Sequence, residues 1–341
     1  MEKRMAQVRL TDVAKAAGVS MKTVSNVVHD YPHVSPEMRR RVQAAIEELG
    51  YRPNLAARRL ATGRTGMIAL AIPEIDHPYF SEVSRRIAEE AGRLGYRVII
   101  EQTLSDTTAE HAVLRDREEG LVDGVIFHPV SMGAIEIAQV HRDTPLVLLG
   151  EAAIPLTTDH VMIDNVVAAR ESVEHLIALG RRRIVFLGTV EGDITVSTRR
   201  RLLGYQEALL AAGIDADPRL VLPVSGFAPE DSAAAVRAAI ADGIDFDAIL
   251  CRDDKFAVGA MRELADAGRS VPGDVALIGW DDTALAAYTL PSLTSVSPDK
   301  SGLARVALEL LIERMTGHVG VGRHRIVPHT LAMRASAPAL P

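Results

Sequence analysis

From Gly66 onward, short apolar runs alternate with amphipathic stretches of helical length, in two successive series. The first series reads MIALAIPEI, a helix ending near Gly95, a strand over Arg97–Thr103, a helix near Ala109–Glu119, then GVIFHPV and PLVLLGE. After Asp164 the rhythm restarts: a helix over Ala168–Leu179, RIVFLGT, a helix over Arg199–Ala212, DAILCRDD, a helix over Phe256–Ala267 and VALIGWDD. Apolar runs this short suit strands buried on both faces, and strands alternating with helices predict parallel sheets covered on both sides. Two such series predict two similar α/β lobes, each a doubly wound parallel sheet. Between two such lobes, strand carboxyl ends and helix N-termini converge on a cleft suited to a small molecule.

Charge divides the chain differently. Residues 1–65 hold 12 Lys/Arg against 6 Asp/Glu, a net +6, while the rest holds 26 against 39, a net −13. A basic head on an acidic body points to a polyanion that meets the head alone. The lone Cys251 follows Ala248-Ile249-Leu250 and reads as a buried structural thiol. A single cysteine forms no internal disulfide, in keeping with a reducing compartment. The first residues carry no secretion signal, and no window reaches the ~20 apolar residues that cross a bilayer. The expected location is the cytoplasm, with no membrane partner.

The head is all-α by its punctuation. In LTDVAKAAGVSMKTVSNVV, Thr11 reads as an N-cap, Asp12 favours the positive helix end, and Gly18 supplies a turn. Ser20 caps a second helix whose Val24, Val27 and Val28 face inward. Two short helices about a glycine turn form a helix-turn-helix. A third helix starts at the cap Ser35 with Pro36 in its first turn and ends at Gly50; Arg39, Arg40 and Arg41 lie on its flank. Asn54 then caps a short segment from Leu55 to Ala61, too short to hold as a helix without a partner.

The stretch TDVAKAAGVSMKTVSNVV…VSPEMRRRVQAAIEELGYRPNLAARRLATGRT closely resembles the DNA-binding head and hinge of the lactose-repressor (LacI/GalR) family over about 60 residues. The resemblance implies that the second helix enters the major groove with Met21, Lys22 and Asn26 toward base edges. Lys22 suits guanine O6/N7 and Asn26 suits adenine N6/N7; many relatives have arginine at the Asn26 position, so the half-site is expected to differ. Thr11, Ser20, Thr23, Ser25, Ser35, Tyr51 and Asn54 match phosphate-contacting positions. In the family, hinge helices of two subunits pair in the minor groove; Ala57 and Leu60 match that segment, and Leu60 the wedge between central base pairs. A homodimer on a pseudo-palindromic double-stranded operator follows.

More weakly, the resemblance extends over the body and implies a periplasmic-binding-protein-like core with three crossovers between lobes. The expected domains are a head over 1–50, a hinge over 51–65 and a core over 66–341. Within the core, one lobe takes about 66–162 and 293–322 and the other about 163–292 and 323–341. Tyr79, Phe80, Ser197, Arg201, Phe227, Asp253, Trp280 and Asp281 match effector-facing positions. Asp253 departs from relatives with asparagine there. An arginine facing a carboxylate grips vicinal hydroxyls, since one donates and the other accepts.

Catalysis is disfavoured. Adjacent carboxylates in Asp253-Asp254 and Asp281-Asp282 point apart, and one of each pair is expected to cap a helix. The histidines show no metal-site spacing, and neither GxxxxGK[ST] nor G-x-S-x-G is present. No cofactor is expected. The predicted function is a DNA-binding repressor of carbohydrate genes released by a sugar-like effector. A solute-binding protein of the same core, a sugar-directed enzyme and a regulator answering to a purine or nucleoside co-repressor are the alternatives.

Overall fold

The computed structural model describes residues 8–28, 31–51, 64–118, 120–140, 145–151, 155–190 and 195–340. The chain divides into two compact units between Thr65 and Gly66. The smaller contains α1 (Leu10–Ala17), α2 (Met21–Val28) and α3 (Pro36–Leu49), closed around buried Val13, Ala14, Ala17, Val24, Val27, Val42 and Ala45. Gly18 has φ +62°, a left-handed conformation that L residues avoid, and this turns the chain from α1 into α2. The Ser20 hydroxyl accepts the Thr23 N–H at 3.1 Å, and the Ser35 hydroxyl accepts that of Met38 at 3.3 Å.

Two local expectations change. Helix α1 begins at Leu10 with Arg9 as its cap; the Asp12 carboxylate accepts the Arg9 N–H at 2.8 Å, which places Thr11 inside the first turn. Of the arginine run, Arg41 donates to the Ala17 carbonyl at 2.7 Å and Arg39 to that of Tyr31 at 2.9 Å, so both brace the head.

The larger unit holds two six-stranded sheets. The first contains β1 (Met67–Ile72), β2 (Arg97–Gln102), β3 (Gly124–Phe127), β4 (Leu146–Leu149), β5 (Asp159–Met162) and β11 (His324–Ile326), all parallel, in the order β11-β5-β4-β3-β1-β2. The second contains β6 (Ile184–Val190), β7 (Val221–Val224), β8 (Ala248–Cys251), β9 (Ala276–Trp280), β10 (Thr294–Pro298) and β12 (His329–Ala332), in the order β12-β10-β9-β8-β6-β7. Only β12 runs antiparallel there. The connecting helices are α4 (Pro78–Arg93), α5 (Thr107–Glu118), α6 (Ala134–Val140), α7 (Asn165–Ala178), α8 (Val196–Ala211), α9 (Pro229–Ala241), α10 (Asp254–Asp266) and α11 (Lys300–Met315).

Strand periodicity builds both cores. Ile68, Leu70 and Ile72 pack on one face of the first sheet, and Ala69 and Ala71 pack on the other with Phe127 and Leu148. In β8, Ile249 and Cys251 likewise face away from Ala248 and Leu250. Burial raises the Cys251 thiol pKa well above its ordinary value, so the thiol is an apolar filler.

The chain crosses between lobes three times: after β5, after β10 and after β11. This corrects the expected lobe limits. β10 pairs with β9 in the second sheet, although residues from 293 were expected in the first lobe. β11 pairs with β5 in the first sheet, although residues from 323 were expected in the second. Both segments are single short strands, and hydrogen-bonding partners far away in sequence decide their sheet. Helix α11 packs on α4 in the first lobe.

Helices α7 and α8 meet at Gly204, where a Cβ would stand 2.1 Å from the Val166 carbonyl oxygen. Gly204→Ala is therefore expected to destabilise the core by about 3 kcal/mol through overpacking, read as a lower urea midpoint. An unchanged midpoint would show that the two helices do not pack this closely.

Candidate nucleic-acid interface and effector cleft

On α2, Val24 and Val27 are buried in the head, while Met21 and Lys22 are exposed and Asn26 is half-buried. Lys22 and Asn26 lie four residues apart, hence on one face of the helix. Thr23 and Ser25 are half-buried beside them, and the Ser20 and Thr23 hydroxyls lie 2.9 Å apart. Thr11 and Ser35 lie on the head surface, while half-buried Tyr51 packs against its core. Asn54, Ala57 and Leu60 lie outside the described residues.

In the larger unit, a cavity of ≈ 230 Å³ opens between the lobes at the carboxyl ends of both sheets. Tyr79, Phe80, Ser197, Arg201, Phe227, Asp253, Trp280 and Asp281 all line it. Tyr79 and Phe80 enter from the first turn of α4, Ser197 and Arg201 from α8, and Trp280 and Asp281 from the end of β9. Phe227 is the most exposed of the eight and stands against Arg252, whose guanidinium carbon is 4.8 Å from its ring centroid.

Arg201 is the hub. Its guanidinium lies 4.0 Å above the ring of Trp280, the chain's sole tryptophan. Its Nε donates to Asn165 Oδ1 at 2.7 Å, and its Nη1 donates to the Arg252 carbonyl. Burial lowers the Arg201 pKa and the Asp281 and Glu151 carboxylates oppose this; guanidinium nevertheless stays charged. Burial raises the Asp281 pKa, and Arg201 offsets part of that rise.

Asp281 is presented by a strained turn. Its φ is +94° and that of Asp282 is +46°, both in the left-handed region. The Asp254 carboxylate holds this turn, accepting the Thr283 N–H at 2.7 Å, the Thr283 hydroxyl at 2.9 Å and the Ser295 hydroxyl at 2.7 Å. Burial, then the neighbouring Asp281, pushes the Asp254 pKa up to about 7. Asp253 caps α10, accepting the Phe256 N–H at 2.9 Å. Burial opposes its ionisation, but His77, Arg252 and the Phe256 N–H outweigh burial and hold its carboxyl well below the usual carboxylate range. The expectation that one acid of a pair caps a helix thus holds for Asp253. Asp282 instead pairs with Arg334 at 2.6 Å.

The sequence reading missed Glu151, Asn165, His128, His77 and Arg252, which also line the cavity. Glu151, His128 and Arg252 follow the apolar strands β4, β3 and β8 almost directly, a position at which polar residues reach the cleft. That signal was available. Burial pushes the His128 pKa down to about 4, so this ring is neutral near pH 7. Several buried polar atoms here have no hydrogen-bond partner among the described residues: both Glu151 oxygens, Trp280 Nε1, Arg252 Nη1 and His128 Nδ1. Among the described residues no group of His, Cys, Asp and Glu is arranged to hold a metal ion, and no helix is long and apolar enough to cross a membrane.

Residues 9–54 match bacterial regulatory proteins of the lacI family, and residues 173–337 match a periplasmic binding protein-like domain. The chain is 34% identical over 324 residues to the HTH-type transcriptional regulator CelR of Thermobifida fusca, covering 89% of this chain and 91% of that protein. It is 30% identical over 331 residues to the catabolite control protein A of Priestia megaterium, covering 96% of this chain and 99% of that protein. Among solved structures, the lac repressor dimer bound to operator and the anti-inducer ONPF superposes with a TM-score of 0.85 at 27% identity, covering 97% and 99% of the two chains. A helix-turn-helix head, a two-lobed core around a cleft and this full-length similarity agree: the chain belongs to the lacI family of bacterial regulatory proteins.

Proposed function

We propose that this chain represses carbohydrate-utilisation genes from the cytoplasm, gripping a pseudo-palindromic operator as a homodimer and releasing it when a polyhydroxylated effector fills the cleft. The single observation that carries the effector reading is the set of unpartnered polar atoms around the cavity. Glu151 offers only acceptors, while Trp280 Nε1 and Arg252 Nη1 offer only donors. A buried polar group left unpaired is costly, so a ligand that offers both kinds of partner is favoured in this cavity. A hydroxyl does both at once, and a ring carrying several hydroxyls is a sugar. A relative in the same family, CelR, has been solved with cellobiose. Effector binding shifts the lobes, and the hinge over 51–65, too short to hold alone, loses its grip on the minor groove.

Base readout rests on Lys22 and Asn26, and Tyr51 and the hydroxyls of Thr11, Ser20, Thr23, Ser25 and Ser35 set the register on phosphate. A bidentate pair to adenine is worth ~1–3 kcal/mol. In gel shifts against a symmetric duplex selected from random sequence, Asn26→Ala is expected to weaken specific binding by about 10–100-fold and to leave random-duplex binding unchanged. Equal losses on both duplexes would remove Asn26 from base readout. Wild-type protein with no preference for any symmetric duplex would sink the regulatory reading altogether.

A further inference from the structure

Glu151 stands at the cleft end of β4 and is only 3% exposed. Among the described residues neither carboxylate oxygen has a hydrogen-bond partner of good geometry, and Asn165 is the polar group beside it. Burial disfavours its charge, and Asn165, Arg201 and Arg200 nearby offset this only in part. A buried acid without an ion pair destabilises the fold that contains it. Groups kept at such a cost belong to sites where something else completes them.

The charges around it indicate what completes it. Four carboxylates line the cavity: Glu74, Glu151, Asp253 and Asp281. Asp253 is matched by Arg252 at 3.1 Å and Glu74 by Lys255 at 3.8 Å. Glu151 and Asp281 form no such ion pair among the described residues: both stand near Arg201, with Arg200 also near Glu151 and Lys300 near Asp281, and part of the hydrogen-bonding capacity of Arg201 goes to Asn165 and to the Arg252 carbonyl. Glu151 thus presents a buried carboxylate to the cavity with no direct ion pair among the described residues. A phosphate or carboxylate on the effector would bring a like charge into a cavity screened from water, where Coulomb repulsion is strong.

Building on the effector reading above, we infer that Glu151 is the residue that sets the charge class of the effector: it takes hydroxyl or ammonium donors and excludes sugar acids and sugar phosphates. A neutral sugar meets the two oxygens with two hydroxyls. An amino sugar meets them with an ammonium of the opposite charge.

The test uses the full chain and the fluorescence of its sole tryptophan, Trp280, in the cleft wall. The probes are cellobiose, glucose, galactose, ribose, glucosamine, glucuronate and glucose 6-phosphate. For a neutral or amino sugar that binds, Glu151→Gln is expected to weaken binding by about tenfold or more and to cost the amino sugar more than the neutral one. Without ligand, the same substitution removes a desolvated charge and is expected to raise Tm by ~2–4 °C at pH 8. The sign follows from linkage. The folded-state pKa of Glu151 is raised, so its destabilising effect is full above that pKa and disappears below the unfolded value of about 4.3; the Tm gain must shrink as the pH falls toward that value.

A wild-type preference for glucuronate or glucose 6-phosphate overturns the inference. A ligand bound equally by wild type and Glu151→Gln overturns it too, while leaving the cleft as the effector site. No Tm gain at pH 8 removes its premise of a buried acid that costs the empty fold stability. If no probe perturbs Trp280, the sugar reading of the cleft fails, and the charge-class inference fails with it.

Discussion

Arg201→Ala is expected to leave operator binding intact and to abolish release by effector, with effector affinity falling about 100-fold, or ~2.7 kcal/mol. Three losses add up at this one side chain. The cation over Trp280 disappears, the donor fork aimed at ligand hydroxyls disappears, and Asp281 and Glu151 lose the guanidinium they share. Removing one partner from a buried charge constellation leaves the others uncompensated, which is why the effect exceeds that of a neutral hydrogen bond. Arg201→Lys keeps the charge but neither the planar fork nor the stack, so it should recover little of the affinity. The measurement is operator release in a gel shift across an effector titration, with Trp280 fluorescence reporting binding. Full release by either variant at the wild-type effector concentration would remove Arg201 from the site.

The second large effect lies far from the cleft. Asp159→Ala is expected to destabilise the core by about 3 kcal/mol, seen as a lower urea midpoint with an unchanged slope. Asp159 is fully buried at the start of β5 and is gripped by two arginines. Arg314 donates to it at 2.9 and 3.0 Å from α11, and Arg323 donates at 2.8 Å from both its backbone and its guanidinium just before β11. The carboxylate thus ties the return helix and the last strand of the first lobe to β5. Burial opposes its ionisation, but the two arginines prevail and hold its carboxyl well below the usual range. The stabilisation is therefore full above the unfolded pKa of about 3.9 and is lost as the pH falls toward the depressed folded value. Wild type and Asp159→Asn should converge in stability only under strongly acid conditions. A difference that vanished between pH 7 and 5 would show that Asp159 is not held ionised by these arginines.

Much of this was legible before any coordinates. The head could be read because its signals are local: a hydroxyl three residues before the N–H it caps, a glycine where φ turns positive, valines at helical spacing. The strands could be read because β1, β3, β4, β8 and β9 are apolar runs bounded by polar residues. The eight effector candidates came from family resemblance, and they all line one cavity. What escaped was non-local. The cap was placed two residues late, at Thr11, because Asp12 reaches back to Arg9 and starts the helix earlier. β10 and β11 were assigned to the wrong lobes because their sheet is chosen by strands whose partners lie far away in the chain.

The amino-acid order by itself determined the kinds of element, the apolar faces that must be buried and the separation of a basic head from an acidic body. Periodicity, capping and charge act within a few residues or add along the chain, so they need no partner to be read. Only the folded chain decided that the Asp254 carboxylate anchors the strained turn presenting Asp281, that Asp159 draws in two distant arginines and that Glu151 is buried in the cleft wall. Those outcomes depend on which groups meet across the lobes and on how much water is excluded where they meet, and both are set by packing.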